Sequence, residues 1–238
     1  MKILITGSSG GIGFAAAEEL VRLGHSVLLT GRKQETLSAS AGRLNSLAFC
    51  GDLSKTESVN RLYEFCNEQD FIPEAVVHTV GGTVNNDRHP LNTGTLEESM
   101  RLNLYSAAEL NNLLIPLMQQ NSGGRIIHIS SQAAKDGNAS PAYAMAKGAL
   151  NIYIRNSARF YAQDNIMICG IMPGILDHEG SAWHQKSTEN PKKYEERKSR
   201  QPLGRFLKPR DISGLIGFLA TDRSMAYTGT IFDMNGGE

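Results

Sequence analysis

The chain lacks an excess of either positive or negative residues. Its 24 Lys and Arg balance 24 Asp and Glu, so no global basic field exists to hold a nucleic-acid backbone. No apolar run reaches the length of a membrane span. The first β-type run begins at Lys2, which leaves no room ahead of it for a cleaved leader. Cysteine is scarce. Cys50, Cys66 and Cys169 are odd in number, far apart and without a C-x-x-C pair, which predicts reduced thiols in a cytoplasmic protein. Linkers, internal repeats and low-complexity segments are absent. What remains, 40% hydrophobic and 20% charged over 238 residues, predicts one globular domain spanning 1–238.

Glycine, by contrast, is plentiful, and its densest cluster stands at the start. Lys2-Ile3-Leu4-Ile5-Thr6 is an apolar β-type run. Gly7-Ser8-Ser9-Gly10-Gly11-Ile12-Gly13 follows, and then a good helix former from Phe14 to Leu23. A glycine loop between strand and helix lets backbone approach a ligand closely, and the helix start offers free N–H groups and a positive dipole end to a pyrophosphate. The spacing is G-x-x-x-G-x-G rather than the common dinucleotide G-x-G-x-x-G. A tight turn capping a buried helix wants glycines too, so the loop acquires meaning only with its neighbours.

Strand-like and helix-like segments alternate to the end of the chain, which predicts a doubly wound, Rossmann-like α/β fold: a parallel sheet of about seven strands with helices on both faces. Ser54 is placed to cap the third helix, with Glu57 completing a capping box. One long amphipathic helix is expected over 97–120, with Pro116 as a kink or end. A polar, charged stretch covers 177–200. Ligands of such sheets sit beyond the carboxyl ends of the strands, so the residues there carry the search.

Arg32 and Lys33 follow the second strand, where an acid would suit the ribose hydroxyl of NAD and an arginine suits the 2′-phosphate of NADP. Asp52, with Leu53, follows the third; it either accepts from an adenine amino group or forms a turn with Ser54. Ser130 and Ser131 follow the fifth. Tyr143 and Lys147 come early in the next helix, four apart and so on one face. An ammonium beside a phenol favours the phenolate and brings its pKa towards the working pH of a proton-transfer group. The pattern alone is weak, because Tyr194 and Lys198 repeat it within the charged stretch, where it reads as a solvated helix face.

Taken together, these residues make the chain resemble the short-chain dehydrogenase/reductase family over essentially its whole length, including 3-oxoacyl-carrier-protein reductase-like members. Carrying the resemblance are Thr6 to Gly13, Asp52-Leu53, Asn103, Ile129-Ser130-Ser131, Tyr143-Ala144-Met145-Ala146-Lys147, Pro173-Gly174 and the stretch Gly229 to Gly237. The resemblance implies hydride transfer between NADP(H), or less readily NAD(H), and a small carbonyl or secondary alcohol. It implies Tyr143 as proton donor, Lys147 as its partner and a holder of the nicotinamide ribose, Ser131 on the substrate oxygen, and Asn103 holding a water beside Lys147. The implied cofactor site comprises Gly7, Ser8, Ser9, Gly10, Gly11, Ile12, Gly13, Arg32, Asp52, Leu53, Thr79, Val80, Gly81, Tyr143, Lys147, Pro173, Gly174 and Ile175. A substrate lid is implied at about 175–205, together with a homo-oligomer, tetramer or dimer. The alternatives are a silent NAD(P)-binding sensor or scaffold on the same fold and an NAD-dependent alcohol dehydrogenase.

Three departures from the family pattern stand out. His78-Thr79-Val80-Gly81 replaces Asn-Asn-Ala-Gly, so support of the cofactor at the fourth strand must be built differently. Ser131 lies twelve residues before Tyr143 instead of thirteen; it is still chosen over Ser130, because successive strand residues face opposite ways and Ser131 closes the strand pattern. His178 stands where the family often has a cofactor-contacting threonine; a plain loop histidine is the favoured reading. Asp177, His178, Glu179 and His184 match no common metal-site spacing. Between Lys186 and Arg205 seven basic residues face three acids, which reads either as a solvated helix or as a surface for an anionic substrate or carrier.

Overall fold

The computed structural model describes all residues, 1–238. Seven parallel strands lie in the order β3-β2-β1-β4-β5-β6-β7. They are β1 (Lys2–Thr6), β2 (Ser26–Gly31), β3 (Leu47–Cys50), β4 (Ala75–His78), β5 (Gly124–Ile129), β6 (Ile166–Pro173) and β7 (Ile231–Met234). This is the doubly wound Rossmann-like arrangement that the alternation predicts.

Strand periodicity sorts the apolar residues onto two faces. Ile3, Ile5, Val27, Leu29 and Val77 point to one side, under α1 (Gly11–Arg22), α2 (Gln34–Leu44) and α10 (Pro209–Thr221). Leu4, Leu28, Val76 and Ile126 point to the other, under α3 (Thr56–Glu68), α5 (Ser106–Gln120) and α7 (Pro141–Tyr161). Burial on both faces explains why β1 and β6 read as nearly continuous apolar runs. The strand order reverses between β1 and β4, so the cleft opens beyond the carboxyl ends of these two strands.

Several local expectations are corrected. Ser54 does not cap α3, which starts at Thr56. Asp52 Oδ1 instead accepts from the Ser54 amide (3.1 Å) and hydroxyl (2.8 Å), the turn a short acid forms with the residue two ahead. The long helix begins earlier, as α4 (Thr93–Met100), where the Asn92 side chain accepts from Gly94 and Thr95 amides. It widens into a π-helical turn (Arg101–Tyr105) and continues as α5. Pro116 neither ends nor interrupts it. Pro116 and Asn112, whose carbonyl loses its partner, are both exposed, while Leu114, Ile115 and Met118 anchor the opposite face. The polar, charged stretch forms α8 (Ala182–Glu189) and α9 (Pro191–Ser199). A short helix, α6 (Ala133–Asp136), follows β5. No helix is long and apolar enough to cross a membrane.

Candidate active site

The glycine loop leaves β1 at Gly7, with φ +66°. Gly7 donates its amide to Thr30 Oγ1 (3.0 Å). Ser8 is fully buried; its hydroxyl donates to the Ile5 carbonyl (2.8 Å) and accepts from the Thr30 amide (3.0 Å). The expectation that Ser8 lines the cofactor site is therefore corrected: it fastens the loop from behind. Gly13 is also a packing residue. A Cβ there would lie 2.6 Å from Thr79 Oγ1 and 2.7 Å from the Gly7 carbonyl oxygen, so only glycine lets α1 start this close to the strand ends. Gly10 is different, with nothing within 4 Å of an added Cβ. As the residue before α1 it has no side chain to cap the first-turn amides, which leaves open backbone donors at a positive helix end. That is a cradle suited to a pyrophosphate.

Strand four supports this loop by a substitute device. Thr79 Oγ1 donates to the Thr6 carbonyl at 2.5 Å and lies 3.3 Å from that of Gly7, while the Thr79 amide donates to Thr6 Oγ1 (3.2 Å). A threonine hydroxyl thus ties β4 to the loop. His78 turns away, stacks on His128 of β5 with centroids 4.6 Å apart, and meets Asn111 Oδ1 at 2.8 Å. Burial holds His78 down at about 4 and His128 well below the usual imidazole range, the latter also opposed by His78 and Lys147.

At the other side of the cleft Gly81, Asn103 and Lys147 converge. A Cβ on Gly81 would lie 2.8 Å from Asn103 Oδ1 and 2.9 Å from Lys147 Nζ. Asn103 sits in the π-helical turn. Its Oδ1 accepts from the Gly82 amide (2.9 Å) and its Nδ2 donates to the carbonyls of Gly82 and Ser99 (both 2.9 Å). Lys147 is buried and donates to the Ile129 carbonyl at 2.8 Å. Desolvation brings its ammonium down to about 8.

Burial raises the Tyr143 phenol, and the neighbouring Ser131 hydroxyl works against the rise. Lys147 Nζ lies 5.8 Å from the Tyr143 ring centroid and is not what tunes the phenol in this state. Ser130 is excluded from the cluster, because it is buried and donates to Asn151 Oδ1 at 2.6 Å. Just past the end of β5, Ser130 turns inward to Asn151 while Ser131 lies near Tyr143.

Arg32 and Lys33 stand exposed after β2, with Asp52 beyond the neighbouring strand end and Leu53 buried behind it. Pro173 ends β6, Gly174 donates to the Met234 carbonyl (3.1 Å), and Ile175 accepts from the Leu207 amide (2.9 Å). Asp177 is buried. Desolvation would raise its carboxyl, but hydrogen bonds from Lys208 (2.8 Å), His184 (2.9 Å) and Tyr194 (2.8 Å) outweigh it and hold it at about 2.

This anchor fixes α8 and α9, whose Trp183 and Tyr194 pack on Phe206. The neighbouring His178 reaches back to the glycine loop, its Cε1 2.9 Å from where a Gly11 Cβ would stand. The two border an open cavity of about 410 Å³, with Phe14, Glu18, Lys208 and Arg210 also on its walls. The positive stretch is largely neutralised: Lys198 pairs with Glu195, Arg200 with Glu196, Arg205 with Asp211 and Arg197 with Glu238. Sequence reasoning left out Thr79 as a fastener and the π-helical turn at Asn103; a hydroxyl beside the last strand residue was the available signal for the first.

Residues 7–238 match the family described as enoyl-(acyl carrier protein) reductase. The 3-oxoacyl-[acyl-carrier-protein] reductase FabG of Pseudomonas aeruginosa is 31% identical, over 98% of this chain and 95% of its own. A tropinone reductase homolog of Arabidopsis thaliana is 30% identical, over 98% and 90%. Among solved structures, L-sorbose reductase from Gluconobacter frateurii, complexed with NADPH and L-sorbose, superposes with a TM-score of 0.92 at 25% identity, covering 99% of this chain and 95% of that one. With the glycine cradle, the Tyr143–Lys147 helix and matches running almost end to end, the chain belongs to the short-chain dehydrogenase/reductase family of oxidoreductases, which act on CH–OH and carbonyl groups.

Proposed function

We propose that this protein is an NADP-dependent carbonyl reductase, reversible as a secondary alcohol dehydrogenase, with residues 1–238 acting as one catalytic domain. The observation that carries the proposal is the convergence of Lys147, Asn103 and Gly81 beyond the ends of β4 and β5, with Tyr143 one helical turn before Lys147. The backbone donors of Gly10 to Ile12 hold the pyrophosphate, and Thr79 keeps their loop in place. Arg32 takes the 2′-phosphate. Asp52, Leu53, Val80, Pro173, Gly174 and Ile175 line the remaining cofactor surface. The chemistry that a bound nicotinamide supplies is hydride transfer to or from the substrate carbon.

In reduction, Ser131 hydrogen-bonds the substrate oxygen and Tyr143 gives its phenolic proton to that oxygen as the carbon is reduced. Developing charge meets preorganised donors. Lys147 holds the nicotinamide ribose and restores the tyrosine proton, with Asn103 holding a water beside it. The segment from about 175 to 205 is the substrate lid, pinned at Asp177. The relatives' named activities, on 3-oxoacyl-[acyl-carrier-protein] and on L-sorbose, set the test panel: short ketones, ketoses and 3-oxoacyl thioesters.

The reading includes a cytoplasmic homo-oligomer. Met145, Ile152 and Phe160 are 52%, 64% and 64% exposed along α7, an apolar stripe that a second copy covers. The deciding experiment is titration of the purified protein with NADPH and NADH by tryptophan quenching and thermal shift, followed by the panel. NADPH binding lost in Arg32→Ala is the expected result. A preference for NADH that persists in that variant removes the phosphate role of Arg32, and no shift with either nucleotide removes the dinucleotide reading.

A further inference from the structure

Helix α7 begins without a cap of its own. Ser140, the residue before it, makes no side-chain hydrogen bond to the first turn. Pro141 has no amide hydrogen, so the first donors in need of partners belong to Ala142 and Tyr143. Both are satisfied by one carboxylate from far away in sequence. Asp87 Oδ1 accepts from the Ala142 amide at 2.8 Å and Asp87 Oδ2 from the Tyr143 amide at 2.9 Å. Asp87 lies in the loop between β4 and α4, half-buried while Asn85, Asn86, Arg88 and His89 around it are exposed. The same loop is fastened at its start, where Gly82 exchanges two hydrogen bonds with Asn103. The loop therefore joins the π-helical turn at one end to the first turn of α7 at the other.

Helix first turns fray unless their amides are held. Tyr143 is in that turn, and proton transfer tolerates little displacement: about 1 Å of misplacement can cost roughly 100-fold in rate. We propose that Asp87 is a positioning residue for Tyr143, a cap supplied in trans that fixes the first turn of α7 and so sets where the tyrosine hydroxyl meets the substrate oxygen. The carboxylate also complements the positive end of the helix. The proposal rests on Tyr143 being the proton donor.

The test compares Asp87→Ala, Asp87→Asn and Asp87→Ala combined with Ser140→Asp, which offers a carboxylate cap from within α7. Readouts are kcat and KM for NADPH-dependent reduction of 9,10-phenanthrenequinone, NADPH affinity by fluorescence, thermal stability, and hydrogen exchange at the Ala142 and Tyr143 amides. Asp87→Ala is expected to lower kcat about 10- to 100-fold, with KM and NADPH affinity changed by less than about twofold, and to speed exchange at both amides. Asp87→Asn, which keeps the shape but not the charge or the second acceptor, is expected to fall between Asp87→Ala and wild type. The double variant is expected to recover stability, slow exchange and kcat together.

A kcat for Asp87→Ala within twofold of wild type, alongside faster exchange, overturns the proposal and leaves a cap that serves stability alone. Recovery of stability without kcat in the double variant also overturns it, by placing Asp87 at the substrate instead. Should Asp87→Ala not fold, Asp87→Asn decides: faster exchange with unchanged kcat is the negative result. Tyr143→Phe is run alongside. If it turns over the quinone normally, the proton-donor assignment has failed, independently of what Asp87 does.

Discussion

Two Tyr-x-x-x-Lys pairs stand on two helices of this chain, and their internal geometry is nearly the same. Lys147 Nζ is 5.8 Å from the Tyr143 ring centroid and Lys198 Nζ is 5.7 Å from that of Tyr194. Helical spacing sets that distance, so it says nothing about chemistry. The surroundings differ. Lys147 is buried against the Ile129 carbonyl and brought down to about 8; Lys198 lies on an exposed helix with Glu195. Tyr143 faces Ser131 in the cleft. Tyr194 donates to the Asp177 carboxylate, and burial together with that anion pushes its phenol up to about 12. Its expected role as part of a solvated face is half right: the lysine is solvated, but the tyrosine anchors the lid segment.

The sharpest way to break the comparison is to remove both hydroxyls in turn. Tyr143→Phe is expected to lower kcat by roughly 1,000-fold or more, within the span of general acid catalysis, while Tyr194→Phe stays within a few-fold; equal losses in steady-state assays would erase the distinction. Next in size is an acid effect confined to the buried surroundings of the first pair. His78 and His128 have depressed pKa values in the folded state and ordinary ones, about 6.5, when unfolded. Their contribution to stability is complete above that value and is lost as pH falls towards about 4. His78 alone removes roughly 2 kcal/mol between pH 7 and 5 and His128 adds a loss in the same direction, measurable by urea denaturation, and His78→Gln should make the slope shallower.

The rate of carbonyl reduction should fall as pH rises through about 8, where Lys147 loses its proton; Lys198→Ala should leave that limb in place. Smaller again, Tyr194→Phe removes a hydrogen bond to a buried carboxylate, worth about 2 kcal/mol, and should lower Tm by about 5 °C. Lys198→Ala, which breaks only an exposed pair, should not move Tm detectably.

The same contrast marks what the sequence made legible. The strand–helix alternation, the parallel sheet covered on both faces and the glycine loop between β1 and α1 follow from periodicity and local motifs, because each depends on neighbours within a few residues. Misreadings arose where a distant partner decides. Ser54 is the local exception: it has the spacing of a cap, but Asp52, two residues before it, takes its hydroxyl. Ser8 looked like a loop residue, but Thr30, across on β2, claims it. Pro116 is harmless only because its side of α5 faces solvent. Asp87 gave no local sign at all, since the amides it binds lie 55 and 56 residues away.

The π-helical turn at Arg101–Tyr105 fits one surplus residue into an otherwise continuous helix. An α-helix advances about 100° per residue, so the surplus sets α4 and α5 at different phases about a shared axis. The Ser99 carbonyl, one turn earlier, accepts from the Asn103 side chain. Deleting any one residue of the turn would heal the backbone ladder and, in doing so, swing everything before it by about 100°, carrying α4 off α7. The requirement at this position is thus for a number of residues as much as for an asparagine. A change of length here should do more damage than most changes of side chain.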